Sequence, residues 1–164
     1  MSQIKSEANQ ISLETFETNP VGTHIDRTMK IIRWNYLRAF KEANVDITTE
    51  QWVILDELYE QNGISQTNLA HSTFKNTATV SRIIDLLCQK DLIERQRFEN
   101  DRRRYKIFLT TTGKELVEFL RPIVFKLRKK GWRNLSEKDY RNFLRIINQI
   151  YSNFEEMASQ TEIS

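Results

Sequence analysis

One cysteine, two prolines, four glycines and two histidines are all that the 164 residues hold of these types. A lone Cys88 excludes an intrachain disulfide and any multi-cysteine metal centre. His24 and His71 stand far apart in the chain with no metal-ligand spacing around either, so no metal and no other cofactor is expected. Neither a glycine-rich phosphate loop nor a nucleophile elbow occurs, which leaves an enzyme without its parts. No apolar run approaches the ~18 residues that span a bilayer, and the opening MSQIKSEANQ lacks the apolar core of a signal peptide. A cytoplasmic protein without membrane attachment is expected.

What is present is a core-forming, helix-rich chain. A length of 164 residues with 39% hydrophobic and 29% charged residues suits one domain with a real core and excludes a disordered chain. Scarce glycine and proline, with long segments of 3.6-residue period, predict a mainly α fold.

The most informative stretch runs from Thr73 to Thr110 and reads as a short helix followed by a two-stranded hairpin. Val80, Ile83, Ile84 and Leu87 recur at i, i+3, i+4 and i+7 and form one buried stripe. Ala78, Arg82, Asp85 and Gln89 point the other way, with Thr79 and Ser81 on the flanks and Thr77 near the start. Small hydroxyl residues and one arginine at a helix N-terminus suit entry into a DNA major groove, since bulkier side chains would hold the helix off the base edges.

The hairpin supplies charge. Residues 95 to 106 carry six basic and two acidic side chains, a net +4 against +3 for the whole chain, so everything outside this window nets −1. A patch holding more than the entire net charge points to a phosphate backbone, although a solvated hairpin with local pairing to Glu99 and Asp101 would have the same composition.

The segments TVSRIIDLL, DLIER and DRRR with FLTTTG, in that order and spacing, resemble the signature of the MarR family of winged helix-turn-helix transcription regulators, and the resemblance extends from about Gly22 to Met157. Two departures are visible: Asp91 stands where the family has glycine after the recognition helix, and Ala78 sits among threonines. The resemblance implies a winged helix-turn-helix domain with a small β-hairpin wing plus a helical dimerisation region. The chain then divides into an N-terminal arm (1–21), a DNA-binding lobe (46–110) and a dimerisation region (22–45 and 111–158).

Other segments fit this plan. A helix is expected from Thr23, where Thr23 and Asp26 look like a capping pair, to about Ala43, with Trp34 off its main stripe and free to cover a second surface. Thr48 to Gln51 forms a capping box ahead of a helix burying Trp52, Leu55 and Tyr59, flanked by Ile54 and Leu58 and stopped at Asn62-Gly63. Ser65 caps a short helix ending near Ser72. Thr112 and Glu115 predict a further capped helix with Pro122 inside it, and Ser136 opens a last helix whose apolar stripe is wider than one neighbour would cover. A homodimer buries that stripe; a monomer folding its helices back on themselves is the alternative.

The candidate DNA-binding residues are Lys75, Thr77, Thr79, Ser81 and Arg82, with Asp101, Arg102, Arg103 and Arg104 in the wing. Arg82 either pairs with guanine or spends its charge on phosphate or on Asp85 three residues on. By resemblance, Asp101 orients Arg103 towards DNA. Family members respond to small aromatic or phenolic acids, and His24, Arg27, Trp34 and Trp52 are the candidate lining residues. Cys88 is a packing residue or a thiol switch. The expected function is a sequence-specific double-stranded DNA-binding regulator, a ligand-responsive repressor on a palindromic operator; a winged-helix module for protein or RNA is the alternative.

Overall fold

The computed structural model describes Thr15, residues 21–98 and residues 101–161; of the expected N-terminal arm, all but Thr15 and Val21 therefore falls outside the described residues. Among the described residues from Val21 onward, six helices and three strands follow in order: α1 Val21–Glu42, α2 Thr49–Glu60, β1 Ile64–Ser65, α3 Gln66–Ser72, α4 Thr77–Gln89, β2 Ile93–Phe98, β3 Asp101–Leu109, α5 Thr111–Gly131 and α6 Glu137–Thr161. This is the mainly α winged helix-turn-helix fold with a small sheet. The chain forms two compact units, the first ending at Val124 and the second starting at Phe125.

The first unit holds the core. Phe40 of α1, Trp52, Ile54, Leu55 and Leu58 of α2, Leu69 of α3, the α4 stripe, Ile93 and Ile107 of the sheet and Val117, Leu120 and Val124 of α5 pack as one buried cluster. All four predicted stripe residues of α4 are buried. In α2 the expected order is altered: Ile54 and Leu58 are fully buried, whereas Tyr59 is half-exposed. The cause is that α2 packs against α1, α3, α4 and β3 together, so it buries a wide face rather than a narrow stripe. Tyr59 instead donates its hydroxyl to Glu118 of α5 and lies 4.6 Å from the Arg121 guanidinium, which also reaches Asp56 and Glu60 of α2.

Local signals mark several helix ends. The Thr48 hydroxyl accepts from the Gln51 amide at 3.1 Å and the Gln51 side chain accepts from the Thr48 amide at 3.0 Å, the reciprocal capping box expected. Ser65 caps α3 and Ser136 caps α6, the latter with Asp139 bonding back to the Ser136 amide. Two starts differ from expectation. α1 already runs at Val21, and Asp26 pairs with Lys30 at 2.8 Å rather than capping with Thr23. α5 begins at Thr111, and Thr110 rather than Thr112 is its cap: its hydroxyl accepts from the Gly113 amide at 3.0 Å while donating to the Asp91 carbonyl at 2.7 Å. That contact with the α4–β2 turn selects Thr110. A Cβ on Gly113 would sit 1.9 Å from the Leu92 carbonyl oxygen, so glycine is required for this close approach. α5 continues through Pro122 without interruption.

The sheet has three strands in the order β1-β3-β2, all antiparallel, where a two-stranded hairpin was expected. β1 is only Ile64–Ser65, paired to Ile107 and Lys106. Two residues are too few for an alternating pattern, so the strand has no sequence signal. It nevertheless anchors the base of the wing to the start of α3.

In the second unit no residue of α6 is buried among those whose side chains are described. Its Tyr140, Phe143, Leu144, Tyr151 and Phe154 are all exposed. At the turn before it, Trp132 packs edge-on against Tyr140 and Phe143, with centroids 4.7 and 5.8 Å apart.

Candidate nucleic-acid interface

α3 and α4 are joined by a tight turn over Thr73–Asn76, and Asn76 caps α4 by accepting from the Thr79 amide at 2.7 Å. Asparagine in an extended conformation immediately before a helical stripe is a cap signal, and Asn76 is absent from the sequence-based set of candidates. The α4 first turn contains no acidic residue, so the positive end of its peptide dipoles is not neutralised there. Thr77, Ala78 and Thr79 are exposed, Ser81 is half-buried and Arg82 is exposed. A narrow tip with two hydroxyls and an adjoining guanidinium is thereby presented to solvent.

Arg82 has a competitor removed. Asp85, its alternative partner by spacing, is bonded instead to the Arg95 guanidinium of β2 at 2.6 Å, and among the described residues no ion pair reaches Arg82. The same contact fastens the middle of α4 to the root of the wing. Lys75, half-buried at the turn, lies near enough to Glu50 to help hold that carboxyl below its ordinary value. Burial of Glu50 acts the other way, but its own backbone amide, the Thr49 hydroxyl, Arg33 and Lys75 together outweigh it.

β2 and β3 pair from Ile93↔Leu109 to Arg97↔Tyr105, then shift register so that Phe98 faces Asp101. Backbone pairing therefore carries Asp101, Arg102, Arg103 and Arg104 to the far end of the wing. Their side chains lie outside the described part of the structure, as does Glu99.

The four candidate effector residues occupy two different environments. His24, Arg27 and Trp34 are exposed along α1, with the Arg38 guanidinium 4.9 Å from the Trp34 ring. Trp52 is 2% exposed in the core, its ring 6.0 Å from that of Phe40, and its indole N–H is buried without a hydrogen-bond partner. Among the described residues no cluster of His, Cys, Asp and Glu could hold a metal ion, and no helix is long and apolar enough to cross a membrane. Burial pushes the Cys88 thiol up, with Asp85 adding to this and Arg95 opposing it, which favours the unreactive thiol form.

A family model described as MarR family matches residues 47–105. A solved complex of S. aureus MepR with DNA shares 28% identity, covering 88% of this chain and 99% of that one with a TM-score of 0.68. A protein of unknown function from Listeria innocua shares 31% identity over 82% of this chain and 92% of its own, at a TM-score of 0.60. Bordetella bronchiseptica BpsR, described as regulated in its DNA binding by 6-hydroxynicotinic acid, is alike in fold at 21% identity, 80% and 92% coverage and a TM-score of 0.72.

Proposed function

Because this chain belongs to the MarR family of winged helix-turn-helix transcription regulators, we propose that it binds a palindromic double-stranded operator as a homodimer and acts as an effector-responsive repressor. The observation that carries the proposal is the α4 tip: small exposed hydroxyls, no acidic residue in the first turn, and Arg82 beside an Asp85 already engaged by Arg95. In this scheme Thr77, Thr79, Ser81 and Arg82 meet base edges, Lys75 and Arg102 and Arg104 meet phosphate, and Asp101 orients Arg103 of the wing. The MepR relative was solved in complex with DNA, which supports a DNA-binding role for this chain.

Two copies are needed because one short helix reads only a few base pairs. A two-fold dimer places two such helices ~34 Å apart, one turn of duplex, and so doubles the contacted site. The exposed apolar residues of α1, α5 and α6, in the regions 22–45 and 111–158, supply the dimerisation surface in this proposal. A small aromatic or phenolic acid is the effector class in this proposal, with His24, Arg27 and Trp34 exposed on α1 as its candidate contacts; Trp52, in the core beside Phe40, does not join them.

Selection of bound duplexes from a random pool tests the function directly. The expected result is a two-fold symmetric consensus bound with a steep negative dependence on salt. Arg82→Ala is expected to relax choice at one base position per half-site, about 1–3 kcal/mol of discrimination. Arg103→Ala is expected to weaken all duplexes alike and flatten the salt slope. Preferential capture of single-stranded RNA, or no selection of any duplex, would remove the proposal. For the effector, 4-hydroxybenzoate as the probe should quench tryptophan emission and release the selected duplex, and Trp34→Phe should blunt both effects.

A further inference from the structure

Along its long helices this chain sets opposite charges one turn apart. Asp26 pairs with Lys30 and Arg38 with Glu42 in α1, Lys114 with Glu118 early in α5, and Glu137 with Arg141 in α6, each at i, i+4. The end of α5 abandons that pattern. From Lys126 to Arg133 stand five basic side chains and no acidic one, a net +5 against +3 for the whole chain and above the +4 of the wing window.

Lys126, Lys129 and Lys130, at i, i+3 and i+4, share one helical face. Arg133 follows at i+7 in the turn that closes the helix, where the Trp132 amide bonds to the Arg128 carbonyl and the Arg133 amide to that of Lys130. All four are exposed, and among the described residues no ion pair reaches any of them. The nearest acids that follow in the chain are engaged elsewhere, Glu137 by Arg141 at 3.2 Å and Asp139 by the Ser136 hydroxyl at 2.6 Å. Like charges at i, i+3 and i+4 repel and destabilise a helix. The peptide dipole favours cations in the last turn, Arg128, Lys129 and Lys130, but not Lys126 a turn earlier.

We infer that the stripe from Lys126 to Arg133 is a second DNA-contacting surface, which takes the phosphate backbone of a duplex without regard to sequence. It belongs to the second compact unit, whereas α4 and the wing belong to the first. Seven residues of helix span roughly 10 Å, over which a duplex carries a phosphate charge about every 1.7 Å. A lipid surface takes up a basic face that has a broad apolar one beside it. Here Leu127 is half-buried and Phe125 is the one exposed large apolar side chain from 125 to 133, so the stripe offers charge alone. Unpaired cations are costly to bury, which keeps the stripe outside the apolar surface assigned above to a second copy. The inference goes beyond the operator reading, because this contact reads no base.

The test compares the full wild-type chain with two variants, one carrying Lys126→Gln, Lys129→Gln, Lys130→Gln and Arg133→Gln together, the other Lys126→Arg, Lys129→Arg and Lys130→Arg. Glutamine and arginine are good helix formers, so thermal midpoints should match the wild type. Each chain meets the selected duplex trimmed to its consensus, the same duplex with unrelated flanks, and a labelled unrelated duplex added after saturation with the trimmed one. The glutamine variant is expected to bind the trimmed duplex as the wild type does. On the flanked duplex or the labelled one it should lose on the order of tenfold in affinity, with a flatter salt slope, while the arginine variant loses nothing. A loss on the flanked duplex assigns the stripe to the same DNA molecule, and a loss of the labelled one assigns it to a second. A glutamine variant equal to the wild type on both overturns the inference, as does an equal loss in both variants. Weaker self-association of the glutamine variant would give the stripe to acids of a second copy instead. Phosphatidylglycerol vesicles that hold the wild type at a salt concentration where the unrelated duplex does not would give it to a lipid surface. A wild type that selects no duplex removes the operator reading, and the unrelated duplex offered alone to wild type and variants still tests the stripe.

Discussion

α4 and α6 are both amphipathic helices, and they end in opposite situations. The α4 stripe is closed off by its own chain, with Val80, Ile84 and Leu87 at 0% exposure. α6 carries a longer apolar stripe and leaves it open, with Phe143 at 51% and Phe154 at 66% exposed. Periodicity states which face of a helix seeks burial; it does not state whose surface provides it. One region is complete as a folded lobe, and the other is completed, in the proposed dimer, by a second copy.

The sharpest way to break this comparison is to damage each stripe separately. Leu87→Ala leaves a cavity in a fully buried site and should cost about 2–5 kcal/mol in urea unfolding, independent of protein concentration. Phe143→Glu puts a charge into the α6 stripe. It should weaken self-association by roughly 2 kcal/mol or more, about thirtyfold, while the lobe keeps its near-ultraviolet dichroism. Wild-type unfolding midpoints should rise with protein concentration, and those of the Phe143→Glu chain should not. Midpoints of the wild type that stay constant over about a hundredfold range of concentration would remove the second copy from the account.

Legibility in the sequence follows the same division between local and distant causes. The α4 stripe and the Thr48 and Ser65 caps depend on a few adjacent residues, and they were readable for that reason. Thr110 displaced Thr112 as the α5 cap because of a bond to Asp91, nineteen residues earlier. Asp85 chose Arg95 over Arg82 because the β2 strand returns alongside α4. β1 exists only through its pairing with β3. At the α4 tip, residue types were readable from spacing, but the cap Asn76 lay unremarked in the linker.

A milder cut tests whether the α4 tip is ordered by its own cap or by the packed stripe beneath it. Asn76→Ala removes the acceptor for the Thr79 amide, a loss of about 1 kcal/mol of stability. If the cap orders the tip, hydrogen exchange at Thr79 should quicken while Ile84 and Leu87 amides stay protected. Uniform quickening across α4 would show instead that the cap supports the whole lobe.

The smallest effect compares an acid in each region by pH. Glu50 in the first turn of α2 and Asp139 in the first turn of α6 both have carboxyl groups held below their ordinary values, 4.5 and 3.8. For Asp139 the cause is local, the Ser136 hydroxyl and amide; for Glu50, burial opposes the shift and is outweighed by hydrogen bonds from its own amide and Thr49 and by the charges of Arg33 and Lys75. A depressed folded-state pKa means that the folded chain binds the proton less readily than the unfolded one. The stability from each group is therefore present above the ordinary value and is lost as pH falls through the depressed one. Solvent screening limits the Glu50 contribution to roughly a few tenths of a kcal/mol. Because Arg33 belongs to α1, Glu50→Gln should flatten the acid limb of lobe unfolding, and high salt should flatten it in the wild type. Asp139→Asn should affect only the α6 end, with little dependence on salt because its partner is the uncharged Ser136. An acid limb for the lobe that survives both Glu50→Gln and high salt would mean that the α1–α2 charge contact at 3.9 Å contributes nothing, and that α1 is held to the lobe by Phe40 and its apolar neighbours.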